Sequence, residues 1–172
     1  VFEHSFTHSY IHPFQKRRKS MSKPVAVIRT LEDSPEWLDQ RLVEAYLRTT
    51  YALILTGLPS IRVGEANQVL EDWLDEQNCK TYAFITAWNP GSVLLSYDEN
   101  MDRLDQLDDE LKEICPRVYW GWGFGDSGDW EGEVSCLALD ISPDDAIRLG
   151  KKYGQNAIVW WEKGGVPELW WL

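Results

Sequence analysis

The stretch Gly125-Asp126-Ser127-Gly128-Asp129-Trp130-Glu131-Gly132-Glu133 packs four carboxylates, a hydroxyl and an indole into nine positions. Carboxylates serve as general acids and bases when their surroundings tune them. Glu133 opens a predicted strand and is the first candidate for that work, with Asp129 and Asp126 as second carboxylates for hydrolytic or glycosyl-type chemistry. Elsewhere the notable polar groups are amides: Asn89, Asn100, Gln155 and Asn156. Amides fix a ligand's orientation but exchange no proton near neutral pH. Trp88, next to Asn89, and Trp130, in the acidic loop, supply flat apolar surface. An aromatic wall with a few polar groups is the usual make-up of a small-molecule site. Each residue also has a plainer use: Asn89 before Pro90 forms turns, Gly154-Gln155-Asn156 can end a helix, and loop acids are commonly solvated.

Other chemistries find no residues. All three histidines, His4, His8 and His12, fall in the first twelve positions, and Cys79, Cys115 and Cys136 form no C-x-x-C pair. No zinc set or disulfide framework follows, and the cysteines read as small buried hydrophobes in a reducing compartment. Gly121-Trp122-Gly123-Phe124-Gly125 continues a strand and opens no helix, so it is not a phosphate-cradling loop. No metal and no cofactor is expected.

The elements that must hold these residues can be read from periodicity. Ser34-Pro35 predicts a helix start, with Trp37, Leu38, Arg41, Leu42, Ala45 and Tyr46 at helical spacing. Strands are predicted at 51–55 and 60–63, and a helix over 65–77. From 81 onward the order is strand (81–88), helix (to about 114), strand (117–124), strand (133–141), helix (from Ser142-Pro143) and strand (156–161), with a last strand near 168–172. Ser96 with Glu99 forms a capping box for the first of these helices. The pattern 81–161 is β-α-β-β-α-β. It predicts an α+β fold with a ferredoxin-like split βαβ core. Both faces of 81–88 are largely apolar, so an N-terminal helical and strand extension, 34–77, is expected to cover part of the second sheet face. In this order the turn after Trp88, the loop 125–132 and the corner 154–156 meet at one edge, bringing Trp88, Asn89, Trp130, Glu133, Gln155 and Asn156 together, with Asn100 on the same side.

At these residues a resemblance emerges. Phe84-Ile85-Thr86-Ala87-Trp88-Asn89-Pro90, then Asn100, Gly121 and Gly123, Trp130 and Glu133 before a strand, and Gly154-Gln155-Asn156-Ala157-Ile158 resemble a small bacterial family known only as a domain of unknown function. The likeness spans about 61–172 and is densest over 82–161. Two positions depart from it: the family usually has Tyr or another residue where this chain has Trp88, and often Gly where it has Asp140. The resemblance implies a shared fold and a bacterial, cytoplasmic setting, and no activity.

Charge narrows the partners. The chain has 172 residues, 17 Lys and Arg against 28 Asp and Glu, and ten Trp. Residues 1–20 hold four of the bases and one of the acids and read as a disordered extension ahead of a single domain, 21–172. Setting them aside leaves 13 bases against 27 acids, a net charge of −14. That charge argues against nucleic acid as a partner, and no apolar run is long enough for a membrane span. Three functions remain: a small-ligand-binding or regulatory domain with a polar amide and aromatic pocket, a carboxylate-dependent hydrolase-like enzyme using Glu133, or an acidic protein-interaction module acting through the helix over 96–114 or through Trp160-Trp161 and Trp170-Trp171.

Overall fold

The structure, a computed structural model, describes residues 22–54, 57–126, 128 and 130–172. The expected extension 1–20, with its histidines, lies outside the described residues, as does Asp129. Among the described residues the chain forms seven strands and four α-helices: β1 (Ala26–Ile28), α1 (Gln40–Leu47), β2 (Thr49–Leu53), α2 (Gln68–Glu76), β3 (Thr81–Ile85), α3 (Tyr97–Ile114), β4 (Arg117–Gly125), β5 (Glu133–Leu139), α4 (Pro143–Lys152), β6 (Ala157–Glu162) and β7 (Glu168–Trp171). No helix among them is long and apolar enough to cross a membrane.

All seven strands join one antiparallel sheet in the order β1-β7-β6-β3-β5-β4-β2, curled as a half-barrel. This corrects the expected small ferredoxin-like split βαβ core with a covering extension. The extension 34–77 supplies a strand of the sheet, with β2 pairing with β4 from Thr49 opposite Gly125 to Leu53 opposite Gly121, and ahead of it β1 pairs with β7, from Ala26 opposite Trp171 to Ile28 opposite Leu169. The physical reason is edge satisfaction. Outer strands would otherwise expose rows of N–H and C=O groups, and short apolar segments distant in sequence fill those places.

Helix starts follow local chemistry. α1 does not begin at Ser34-Pro35. The Asp39 carboxylate accepts from the Arg41 and Leu42 amides at 3.0 and 3.4 Å and caps the helix there. The Gln40 side chain instead donates to the Pro35 and Leu38 carbonyls, which holds 35–38 as a turn. α3 starts from the Ser96–Glu99 capping box and α4 from Ser142, as the sequence predicts. The predicted strand 60–63 is reduced to one bridge between Tyr51 and Ile61. β3 stops at Ile85 because the Thr86 hydroxyl donates to the Val134 carbonyl and accepts from the Trp88 amide, turning the chain out of the ladder.

Both faces of the sheet are buried. On one, Leu104, Leu107 and Leu111 of α3 and Ala146 and Leu149 of α4 pack on Ala83, Ile85, Cys136, Ala138 and Trp160. On the other, Val43 of α1 and Leu70 and Leu74 of α2 pack on Tyr82, Phe84, Leu137, Val159 and Trp161. Each fully buried Leu, Ile or Phe contributes about 1.5–3 kcal/mol. Strand alternation decides which residues face α1: on β5 these are Glu133, Ser135, Leu137 and Leu139. The first two are polar, and the apolar packing stops there. That is where a cavity opens.

Candidate functional site

The cavity has a volume of about 380 Å³. α1 and β2 form one wall; the ends of β3, β5 and β6, with the turn 89–92, form the other. Among the described residues Glu133 is its one carboxylate held by neutral donors alone. The Asn89 Nδ2 and the Trp130 indole Nε1 both donate to Glu133 Oε1, each at 2.9 Å. Among the described residues Glu133 Oε2 accepts no hydrogen bond. Burial pushes the Glu133 carboxyl above the ordinary glutamate range, and the Asn89 and Trp130 bonds offset part of that rise.

Asn89 is itself fixed on every side. Its amide N–H donates to Asn100 Oδ1 at 2.9 Å, and its Oδ1 accepts from Asn100 Nδ2 at 3.0 Å and from the Leu95 amide at 3.1 Å. Because Oδ1 receives two donors, the side-chain amide has only one orientation, with Nδ2 toward Glu133. Asn89 is 6% exposed and Asn100 2% exposed, so these bonds are made away from water and exert close control over geometry.

The turn that carries Asn89 is strained. Asn89 has φ 43° and Ser92 φ 61°, both in the left-handed region, with Gly91 at φ 61° between them. Left-handed backbone costs a non-glycine residue about 1–2 kcal/mol. Bonds from the corner 154–156 hold the turn there. The Gly91 amide donates to the Gly154 carbonyl at 2.8 Å, Asn156 Nδ2 donates to Ser92 Oγ at 3.1 Å, and Gln155 Nε2 donates to the Trp88 carbonyl at 2.9 Å. Gly154 is needed at that corner: its φ is +73°, and a Cβ there would stand 2.9 Å from the Pro90 Cβ. From the other wall the Tyr46 hydroxyl faces Asn156 and Ser92, and burial pushes it above the ordinary tyrosine value.

The residues singled out in the sequence thus divide. Asn89, Trp130, Glu133 and Gln155 line the cavity together. Asn100 and Asn156 stand behind it and hold Asn89 and Ser92. Trp88 turns away: it is 8% exposed in the α3/α4 core and meets Tyr97 edge-on at 5.7 Å. Asp126 lies at the rim, bound by both guanidinium nitrogens of Arg62 at 2.8 and 2.9 Å and by the Thr50 hydroxyl at 3.1 Å. Those partners, Arg62 foremost, hold its carboxyl below the usual range. Trp160 and Trp161 are buried at 3% each, and Trp160 stacks on Trp170 at 4.5 Å. These indoles are core. The acids of α3 are mostly exposed, with Asp108 buried beside Lys112. Among the described residues no three His, Cys, Asp or Glu side chains are grouped to hold a metal ion.

Sequence reasoning missed Tyr46, Ser92, Thr86 and Ser135, all at the cavity. Ser135 was within reach, since it follows Glu133 by two on one strand and must share its face. Tyr46 and Ser92 offered no such signal; one sits across the fold and the other depends on a left-handed backbone.

Residues 85–158 match the model of a protein family described as "Protein of unknown function (DUF3293)", a description that carries no activity. Neither the curated proteins nor the solved structures give a match. The matched segment carries Asn89, Ser92, Asn100, Trp130, Glu133, Gln155 and Asn156. The α1–β2 wall, with Tyr46, lies before it.

Proposed function

We propose that the cavity between α1 and the sheet binds a small organic ligand, with Glu133 as its polar anchor. One observation carries the reading. Asn89 and Trp130 each donate one N–H to the same Glu133 oxygen, which fixes the carboxylate and leaves its second oxygen unengaged at a cavity of about 380 Å³. Glu133 is half-buried, so its second oxygen stays within reach of a molecule in the cavity. The strain at Asn89 and Ser92 supports the same reading, since sparsely populated backbone persists where function holds it. Tyr51 and Phe84 supply apolar wall and meet edge-on at 5.3 Å. A cytoplasmic setting and a regulatory use of the bound ligand belong to this proposal, supported by the buried free cysteines and the acidic surface.

The test uses the Trp130 indole N–H as reporter, assigned by its loss in Trp130→Phe. In a fragment screen followed by ¹⁵N-correlated NMR, ligands of this cavity shift that resonance and Glu133→Ala abolishes the shift. A broad screen in which no compound moves it contradicts the proposal.

A second reading has its own support. The carboxyl of Glu133 is raised, as a general acid needs. An enzyme of the hydrolase type would use Glu133 as proton donor. Asp126 is engaged by Arg62, so a second carboxylate would have to come from elsewhere. Glu133→Gln would then abolish turnover while substrate still binds.

A further inference from the structure

The accounting of hydrogens around the cavity says what kind of ligand it suits. Six hydroxyls line it; that of Ser92 accepts from Asn156 Nδ2 at the turn facing Tyr46, and the other four have given their hydrogen to a main-chain carbonyl. Thr86 donates to Val134 at 2.7 Å, Thr49 to Ala45 at 2.9 Å, Ser135 to Glu133 at 3.2 Å and Tyr51 to Tyr46 at 3.2 Å. A carbonyl cannot return a proton, so these oxygens face the cavity as acceptors only. One Asn89 N–H and the Trp130 indole N–H are spent on Glu133 Oε1. What the sheet side of the cavity offers is therefore a set of acceptors around one carboxylate oxygen, beside aromatic surface.

We propose, resting on the ligand-site reading above, that the ligand is a small organic cation: a protonated amine or amidine on an apolar, ring-sized body. Its N–H groups would meet Glu133 Oε2 and the neighbouring hydroxyl oxygens, and its charge would lie near aromatic rings, a favourable position for a cation. A neutral acceptor-rich molecule or an anion would leave these acceptors unpaired or opposed. The other charges of the cavity do not reverse this. Asp126 is neutralised by Arg62. Arg48 pairs with Glu44 at 3.5 Å and its side chain is 70% exposed, and Arg41 is exposed on the same helix. Water screens these guanidiniums more than it screens half-buried Glu133. The net charge of −14 over 21–172 adds a field that draws cations to the surface.

Three compounds of one shape decide the matter: phenethylamine, phenethyl alcohol and 3-phenylpropionate, each titrated at pH 7 against the protein while the Trp130 indole N–H is followed. The amine is expected to saturate the shift at least about tenfold more tightly than the alcohol, with no effect of the propionate; charge-assisted hydrogen bonds carry such a difference. Glu133→Gln should bring the amine down to the level of the alcohol. If the alcohol or the propionate shifts Trp130 as tightly as the amine, the cation assignment falls and the ligand site stands. If none of the three moves Trp130 while compounds of the broad screen do, the cation assignment falls and the ligand site stands; if the broad screen is silent as well, both fall. The charge series on the unaltered protein is decisive even if the variant does not fold.

Discussion

Replacing Asn89 by Asp changes one group, an NH2 for an oxygen, at the point where the site is built. The removed donor stands 2.9 Å from Glu133 Oε1. The new oxygen takes its place while Oδ1 still accepts from Leu95 and Asn100. Two unit charges at that separation and an effective dielectric near 20 repel by about 6 kcal/mol. The pair avoids most of this by sharing one proton, as adjacent carboxyls do. Below about pH 4 the protonated pair makes an O–H···O bond in place of the N–H···O bond, and stability should approach that of the parent. As pH rises the folded state must hold a proton that the unfolded chain releases, so the sign of the effect is loss of stability with rising pH. By pH 7 the loss should reach about 3 kcal/mol relative to the parent. At about 2–4 °C per kcal/mol for a chain of this length, the melting temperature falls by about 6–12 °C. Asn89→Ala is the control. It removes the bond to Glu133 and both acceptor bonds and places alanine in left-handed backbone, costing about 3 kcal/mol with a much shallower pH dependence. The assay is calorimetric or fluorescence melting of the three proteins between pH 4 and 8. Equal loss for Asn89→Asp at both ends of that range would refute the reasoning, because it would mean that no ionised Glu133 faces position 89.

Three further outcomes follow from the same structure. The raised Glu133 carboxyl adds stability that is fully present below about pH 4, the unfolded value, and is lost as pH rises through the folded one. Glu133→Gln keeps an oxygen for Asn89 and Trp130, so it should match or exceed the parent at pH 7, with the gap closing on acidification; a loss above about 1 kcal/mol at pH 7 would count against a desolvated carboxylate. Cys79, Cys115 and Cys136 are buried, and burial pushes their thiols up to about 11, 11 and 12. An aromatic disulfide reagent at pH 8 should label none within minutes in the folded protein and all three in denaturant; fast native labelling of any one contradicts the packing. Gly121→Ala puts a Cβ 2.6 Å from the Ala52 carbonyl oxygen and 2.7 Å from the Phe84 ring, so denaturant unfolding should show a loss of about 1–3 kcal/mol. An unchanged midpoint would mean that β2 does not lie against β4 as described.

What the sequence made legible follows from the range of the interactions involved. The caps of α3 and α4 are contacts three residues apart, Ser96 with Glu99 and Ser142 with Asp145, and could be read directly. The start of α1 was misread because Ser34-Pro35 offers a good cap, while Asp39, five residues on, captures the amides. The ferredoxin-like expectation came from element order over 81–161, where periodicity is strong. It failed at the sheet edges, because β1 and β2 are short and their pairing partners, β7 and β4, are more than 65 residues away along the chain. Asn89 and Glu133 were legible as neighbours of a convergent edge. Their bond, the outward turn of Trp88, the pairing of Asp126 with Arg62 and the arrival of Tyr46 all depend on tertiary placement that no local pattern encodes.

The state of Glu133 is the most direct measure of the proposed site. Carbon-13 NMR of its side-chain carboxyl through a pH titration, read beside the Trp130 indole N–H, should show one transition with a midpoint above the ordinary glutamate value of about 4.3, and the indole resonance should follow it. A carboxyl that titrates at the ordinary value while the indole stays still would contradict the buried, Asn89- and Trp130-held carboxylate on which the ligand site rests.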